Sequence, residues 1–229
     1  MDKPNFWYGV GRGFLRINLK IWHQAQYIGQ ENIPTEGGVI VASNHISHLD
    51  PPGVGSGIQR TARFVAKEEL FQQFFLKWFF PAIGVIPIKR GGGGKEMLSK
   101  AAEVLDYGGL IIMFPEGTRS RTGHPQRPRS GILVLAAMTG ACIVPARISG
   151  SYDCMPPGSL LPRPGKIQVA YGEPIKWAPG ELDLNNRDQL VDETRRVMDI
   201  IHSLPGWTPK KAKPLEPNKP VEAEKSTQQ

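Results

Sequence analysis

Short uninterrupted apolar runs alternate along the chain with stretches of helical period, and the two kinds of segment predict different elements. Runs at residues 39–42, 63–66, 83–88, 110–114, 142–148 and 167–171 are brief and rich in Val and Ile, as buried strands are. Residues 68–80, 95–107, 131–140 and 187–203 repeat apolar positions three and four apart and predict helices. Gly108-Gly109 stop the second of these, Gly91 to Gly94 form a flexible turn, and Pro51-Pro52 open a short helix after the first strand. Strand and helix alternating in this way predict a single α/β domain with a mostly parallel or mixed sheet flanked by helices. Its body spans residues 28–208. No internal repeat is present.

The segment before that body has a different pattern. On a helical wheel advancing about 100° per residue, Phe6, Trp7, Val10, Phe14, Ile17 and Ile21 fall in one arc. Tyr8, Leu15, Leu19 and Trp22 fall in a second, and Arg12, Arg16 and Lys20 occupy a narrow basic strip. Apolar positions covering about 220° are more than one core contact needs, and a wide aromatic face with a basic strip suits a bilayer interface. Residues 1–27 are therefore expected to be an N-terminal amphipathic helical segment, lying along a membrane or packed on its own domain. Residues 4–23 would turn Arg12, Arg16 and Lys20 to anionic head groups and Trp7, Phe14 and Trp22 to the acyl boundary.

Composition narrows the class. With 229 residues, 40% hydrophobic and 21% charged, the chain can build a packed core and is not globally disordered. Residues 209–229, with four prolines, five lysines, three glutamates and no aromatic residue, predict a disordered tail. The apolar stretches 74–88 and 131–146 are too short for a conventional membrane span, and the Met1-Asp2 opening predicts no signal peptide. Two cysteines, Cys142 and Cys154, give neither a disulfide framework nor a zinc ribbon. Cys142, inside an apolar run, is expected in the core and not as a nucleophile.

The net charge of +7 is concentrated. Residues 1–30 hold Lys3, Arg12, Arg16 and Lys20 against Asp2 alone, and residues 117–131 hold Arg119, Arg121, Arg127 and Arg129 with no acid. Clustered cations imply an anionic partner. Nucleic acid is disfavoured, because no RNA-recognition or zinc-finger signature accompanies the arginines.

Three polar clusters each follow an apolar strand, where α/β sheets gather ligands. The first is Ser43-Asn44-His45-Ile46-Ser47-His48-Leu49-Asp50-Pro51. His45 and Asp50 are five residues apart and meet only if the chain turns between them. A carboxylate-held histidine is suited to general-base work. Asp50 before Pro51 is equally suited to capping a helix, and His45, His48 and Asp50 could ligate a metal. The second cluster, Ile88-Lys89-Arg90, adds cations; the third is Phe114-Pro115-Glu116-Gly117-Thr118-Arg119-Ser120. An arginine there offers a phosphate bidentate bonds.

Taken together these blocks resemble the glycerophospholipid acyltransferase superfamily, most closely the bacterial 1-acyl-sn-glycerol-3-phosphate acyltransferases. Asn44, His45, Ser47 and Asp50 match an Asn-His-x-Ser-x-x-Asp block, and Gly84 to Arg90 resemble a Gly-x-Ile-x-Ile-x-Arg block. Phe114 to Ser120 match a Phe-Pro-Glu-Gly-Thr-Arg-Ser block letter for letter, and Val144-Pro145 resemble the fourth. Lys67 to Leu70 also fit the family's Lys-x-Glu-Leu. Lys89 stands where an acid is common, and Arg129-Ser130-Gly131 replace a Lys-rich turn, departures that bear on head-group preference.

The resemblance implies acyl transfer from acyl-CoA or acyl-carrier protein to the sn-2 hydroxyl of lysophosphatidic acid, with no metal and no cofactor beyond the thioester co-substrate. It casts His45 as base and Asp50 as its orienting partner. Lys89, Arg90, Gly117, Thr118 and Arg119 would bind the acceptor phosphate, with Glu116 orienting Arg119 or binding glycerol oxygens. Asn44, Ser47, Val144 and Pro145 would line the acyl and acceptor pocket, and helix 68–80 would line an acyl groove or simply fill the core. The setting implied is an anionic phospholipid surface at the cytoplasmic face of a membrane, with peripheral or monotopic attachment.

Overall fold

The computed structural model describes residues 6–67, 85–88, 93–120, 122, 124–159 and 161–207. Seven strands form one sheet: β1 (Gln26–Ile28), β2 (Val39–Ser43), β3 (Ala62–Lys67), β4 (Val85–Ile88), β5 (Leu110–Met113), β6 (Cys142–Ser149) and β7 (Gln168–Tyr171). Their spatial order is β1-β7-β6-β2-β5-β3-β4. All neighbours are parallel except β6 and β7. The mixed sheet agrees with the sequence pattern. The expected helix at 68–80 and tail at 209–229 lie outside the described residues.

Helices cover both faces: α1 (Phe6–Trp22) and α2 (Asp50–Gly57) on one, α3 (Gly93–Asp106), α4 (Gly131–Thr139) and α6 (Arg187–Ser203) on the other. A single-turn α5 (Ser151–Cys154) follows β6. The two-sided burial explains why the strands read as continuous apolar runs. Along β2, Val39 and Val41 pack toward α2, while Ile40 and Ala42 pack toward α3, α4 and α6. Cys142 and Val144 are likewise in the core. Pro145 is buried in mid-β6, one residue before the antiparallel pairing with β7 begins at Ala146, so its missing N–H removes no bond to that strand.

Helix α2 reads Asp-Pro-Pro-Gly-Val-Gly-Ser-Gly, a composition that propensity alone would not make helical. Its glycines have a packing reason. A Cβ on Gly53 would stand 2.7 Å from the Ile148 side chain, and one on Gly57 would collide with Tyr171 and Tyr27. The helix therefore lies closer to the sheet than side chains would permit.

Helix α1 divides its apolar surface between two environments. Leu19 is 2% exposed and joins the core, whereas Val10, Phe14, Ile17, Ile21 and Trp22 stand in the open, Ile21 at 73%. Arg12 does not face outward as the wheel suggested. Its Nη1 donates to the carbonyls of Ile58, Gln59 and Arg60, in the turn just past the end of α2, at 3.2, 2.8 and 3.4 Å. Three carbonyl oxygens beside a helix C-terminus make a setting that favours a cation. Arg16 and Lys20 remain exposed. The Trp7 side chain lies outside the described residues.

His23 closes α1, is 1% exposed, and its Nδ1 has no hydrogen-bond partner among the described residues. Burial lowers its pKa below the ordinary 6.5. The unfolded chain then binds a proton at pH values where the folded chain does not. Stability from this group is present above about 6.5 and is lost as pH falls toward the lowered folded value. Acidification from pH 7 to 5 should lower the Tm of the wild type more than that of His23→Leu. Equal acid sensitivity of the two proteins would show that His23 does not couple folding to pH.

Candidate functional site

Parallel pairing brings the C-terminal ends of β2, β5 and β6 together, and the motifs that follow them converge there. Between β2 and α2 the chain turns back on itself, so that His45 Nδ1 lies 2.8 Å from Asp50 Oδ2. The same oxygen accepts the backbone N–H groups of Ile46 and Ser47, both at 2.6 Å. Asp50 Oδ1 accepts the Ser151 hydroxyl at 2.6 Å. Asp50 is the first residue of α2, but its carboxylate points backward into the turn and not along the helix, which removes the capping alternative. A carboxylate 0% exposed is tolerable only with its oxygens fully engaged, and here they are.

The imidazole is held on two sides. Its Nδ1 is bound to Asp50, and the ring stacks on Phe114 with centroids 4.0 Å apart and planes 20° off parallel. Its side chain keeps 15% exposure. Because the carboxylate accepts a hydrogen bond from Nδ1–H, the tautomer with a bare Nε2 is favoured. That is the form able to remove a proton from a hydroxyl.

Several residues expected to touch substrate instead build the scaffold. The Asn44 side-chain amide pairs with β6, donating to Ile148 O and accepting from Ile148 N, both at 2.9 Å. The Ser47 hydroxyl donates to Met155 O at 2.9 Å. Val144 and Pro145 are buried within β6.

Glu116 is a further difference: its bonds run to backbone amides and not to Arg119. The carboxylate is 3% exposed, with Oε1 accepting from His45 N and Oε2 from Gln126 N, both at 2.9 Å. Burial raises its pKa, and these two N–H bonds pull it partway back. Glu116 thus ties the histidine turn to the basic loop.

Beyond it, Gly117 makes the turn with φ 73°, and Thr118 exchanges bonds with the Gln126 side chain at 3.3 and 3.1 Å. Thr118 and Arg119 line an open depression of about 340 Å³ with Ser120, Thr122 and Gln126. Ser120 N donates to His45 O at 2.8 Å, which brings this depression beside the histidine turn. His48 senses the proximity: burial lowers its pKa first, and the Arg119 cation second. Lys89 and Arg90 lie outside the described residues. A larger groove of about 650 Å³ beside α3 and Met138 contains none of the motif residues. Among the described residues no three His, Cys, Asp or Glu side chains are grouped to hold a metal.

The family model for acyltransferases matches residues 24–149, the stretch that builds this site. The chain belongs to the acyltransferase family. It is 28% identical over 191 residues to the 1-acyl-sn-glycerol-3-phosphate acyltransferase of Bacillus subtilis, covering 83% of this chain and 92% of that one. A chloroplastic 1-acyl-sn-glycerol-3-phosphate acyltransferase of Arabidopsis thaliana is 27% identical over 196 residues, 84% of this chain. The chain spans 55% of that plant protein's length, and the same share of a Brassica napus relative. The crystal structure of the lysophosphatidic acid acyltransferase PlsC from Thermotoga maritima superposes with a TM-score of 0.67 at 28% identity. It covers 84% of this chain and 79% of that one.

Ser151 is the site residue that the motifs missed. Its signal was faint: a Gly-Ser pair directly after the Val-Pro strand, at the same sheet edge as His45.

Removing the Glu116 carboxylate leaves two backbone N–H groups without acceptors, each worth about 1–3 kcal/mol when buried. Glu116→Ala should therefore lower the denaturation midpoint and turnover together, with Glu116→Gln between it and wild type. Unchanged stability with a raised acceptor KM would return Glu116 to the ligand-binding role.

Proposed function

We propose that this protein transfers an acyl group from acyl-CoA or acyl-carrier protein to the sn-2 hydroxyl of 1-acyl-glycerol-3-phosphate, forming phosphatidic acid for phospholipid synthesis. The observation that carries this reading is the His45–Asp50 pair at the end of β2, with the Phe114–Ser120 turn bonded directly to it. Similarity to the Bacillus and Thermotoga enzymes supports the choice of acceptor.

In this reading His45 Nε2 accepts the hydroxyl proton as the acceptor oxygen attacks the thioester carbonyl. The tetrahedral adduct collapses with cleavage of the C–S bond, and the imidazolium returns its proton to the departing sulfur. Asp50 keeps the ring in the reactive tautomer and stabilises the transient cation. Arg119, beside the histidine turn and with an open depression next to it, is the described cation best placed for the acceptor phosphate. Lys89 and Arg90, directly after β4 in sequence, would complete the charge. No cofactor is needed beyond the thioester co-substrate.

The acceptor resides in a membrane, and no helix among the described residues is long and apolar enough to cross one. The exposed side of α1 supplies the alternative. Val10, Phe14, Ile17 and Ile21 form a stripe with spacings of four, three and four residues, with Arg16 and Lys20 also exposed. Laid on the cytoplasmic face, such a surface combines apolar insertion with about 1 kcal/mol per basic residue near anionic lipid.

Thiol release from acyl-CoA should depend on added lysophosphatidic acid and fall at least about 100-fold in His45→Ala, the lower range of a general base's contribution. Acceptor-independent release would mean a thioester hydrolase, and no release a non-catalytic lipid-binding module. Phe14→Asp with Ile17→Asp should reduce vesicle binding and activity on vesicle-embedded acceptor. Activity on a short-chain monomeric acceptor should stay within about twofold of wild type, since substitutions at exposed positions away from a site are mostly near neutral. Equal losses on both acceptors would make the stripe a structural element and not a membrane contact.

A further inference from the structure

The His45–Asp50 pair is bound from α5, just after the neighbouring strand β6, as well as from its own turn. Ser151 is 0% exposed and donates its hydroxyl to Asp50 Oδ1 at 2.6 Å. The other three bonds to this carboxylate all converge on Oδ2. A carboxylate gripped at one oxygen can still swing its plane about that grip. The Ser151 bond to the second oxygen is what removes this freedom.

The backbone around Ser151 is built for that placement. Gly150 has φ 80°, and a Cβ there would collide with the Lys166 carbonyl oxygen. Only glycine makes the bend that drops Ser151 from the end of β6 toward Asp50. A loop of bonds then closes. Ser151 O accepts Met155 N at 2.9 Å, Met155 O accepts the Ser47 hydroxyl at 2.9 Å, and Ser47 N donates to Asp50. The Asn44–Ile148 pair holds the two strand ends in register alongside it.

We propose that Ser151 is a positioning residue for the acyl-transfer base, fixing the Asp50 carboxylate plane so that His45 Nε2 keeps its aim at the acceptor hydroxyl. It acts through Asp50 and touches no substrate, so its loss is felt in the chemical step. The inference rests on the acyl-transfer reading above.

Ser151→Ala should lower kcat about tenfold or more, the scale of one hydrogen bond to a charged group, with acceptor KM within about twofold. Ser151→Thr, which keeps the hydroxyl, should recover most of the loss. In an Asp50→Asn background the alanine change should have little further effect, because residues acting through one network are not additive. An unchanged kcat, a loss confined to KM, or full additivity with Asp50→Asn would overturn the role. One measurement is independent of turnover. The His45 Nδ1 proton, held by Asp50, should give a downfield NMR signal that shifts or broadens in Ser151→Ala. An unperturbed signal overturns the positioning role even if the wild type transfers no acyl group, whereas absent transfer with a perturbed signal overturns only the acyl-transfer reading.

Discussion

A carboxylate without solvent, Asp50, sets the terms for everything around it. Stripping water from an ionised carboxylate is opposed by several kcal/mol unless hydrogen bonds replace the lost hydration. Asp50 has four: two backbone amides, an imidazole and a hydroxyl. Satisfying them requires the β2–α2 turn, the parallel register of β2 with β6, and the glycine bend after β6, all at once. Each local feature is unremarkable alone. Their conjunction leaves the histidine one proton acceptor, facing the open side of the sheet edge.

The same logic recasts the Phe114–Ser120 block. Read as a string, it offers an acid and an arginine and suggests that both meet the substrate. In the fold, the acid turns inward and holds two amides, one belonging to His45, while Thr118 and Arg119 line the open side. A buried carboxylate facing N–H groups is a structural brace, and its raised pKa reflects the burial that role entails. The block therefore places a buried brace and open-facing side chains in adjacent residues.

Helix α1 shows why a wide apolar arc need not have one purpose. One half of that arc reaches the core at Leu19, and Arg12 secures the helix by bonding to the turn just past α2. The other half has no partner within the described residues and retains large side chains in water. Docked on one side and open on the other, the helix holds its apolar stripe fixed relative to the sheet edge that carries His45.

Much of the architecture was already legible in the amino-acid order. The runs at 39–42, 110–114 and 142–148 gave strands within a residue or two, and the period at 187–203 gave α6. Those segments have strong periodicity because each buries area that nothing else can cover. The five-residue offset of His45 and Asp50, followed by proline, implied their meeting. What the sequence could not decide is what depends on distant partners. Strand β1 has three residues with a polar start, and its pairing among the described residues is with β7, some 140 positions later. The inward turn of Glu116, the capture of Arg12 by the turn after α2, and the Ser151 bond across 101 residues belong to the same class. A side chain's type states which bonds it can make. Only the packed fold brings the partner within about 3 Å, and that proximity determined which polar residues stay open to solvent and which hold the site together.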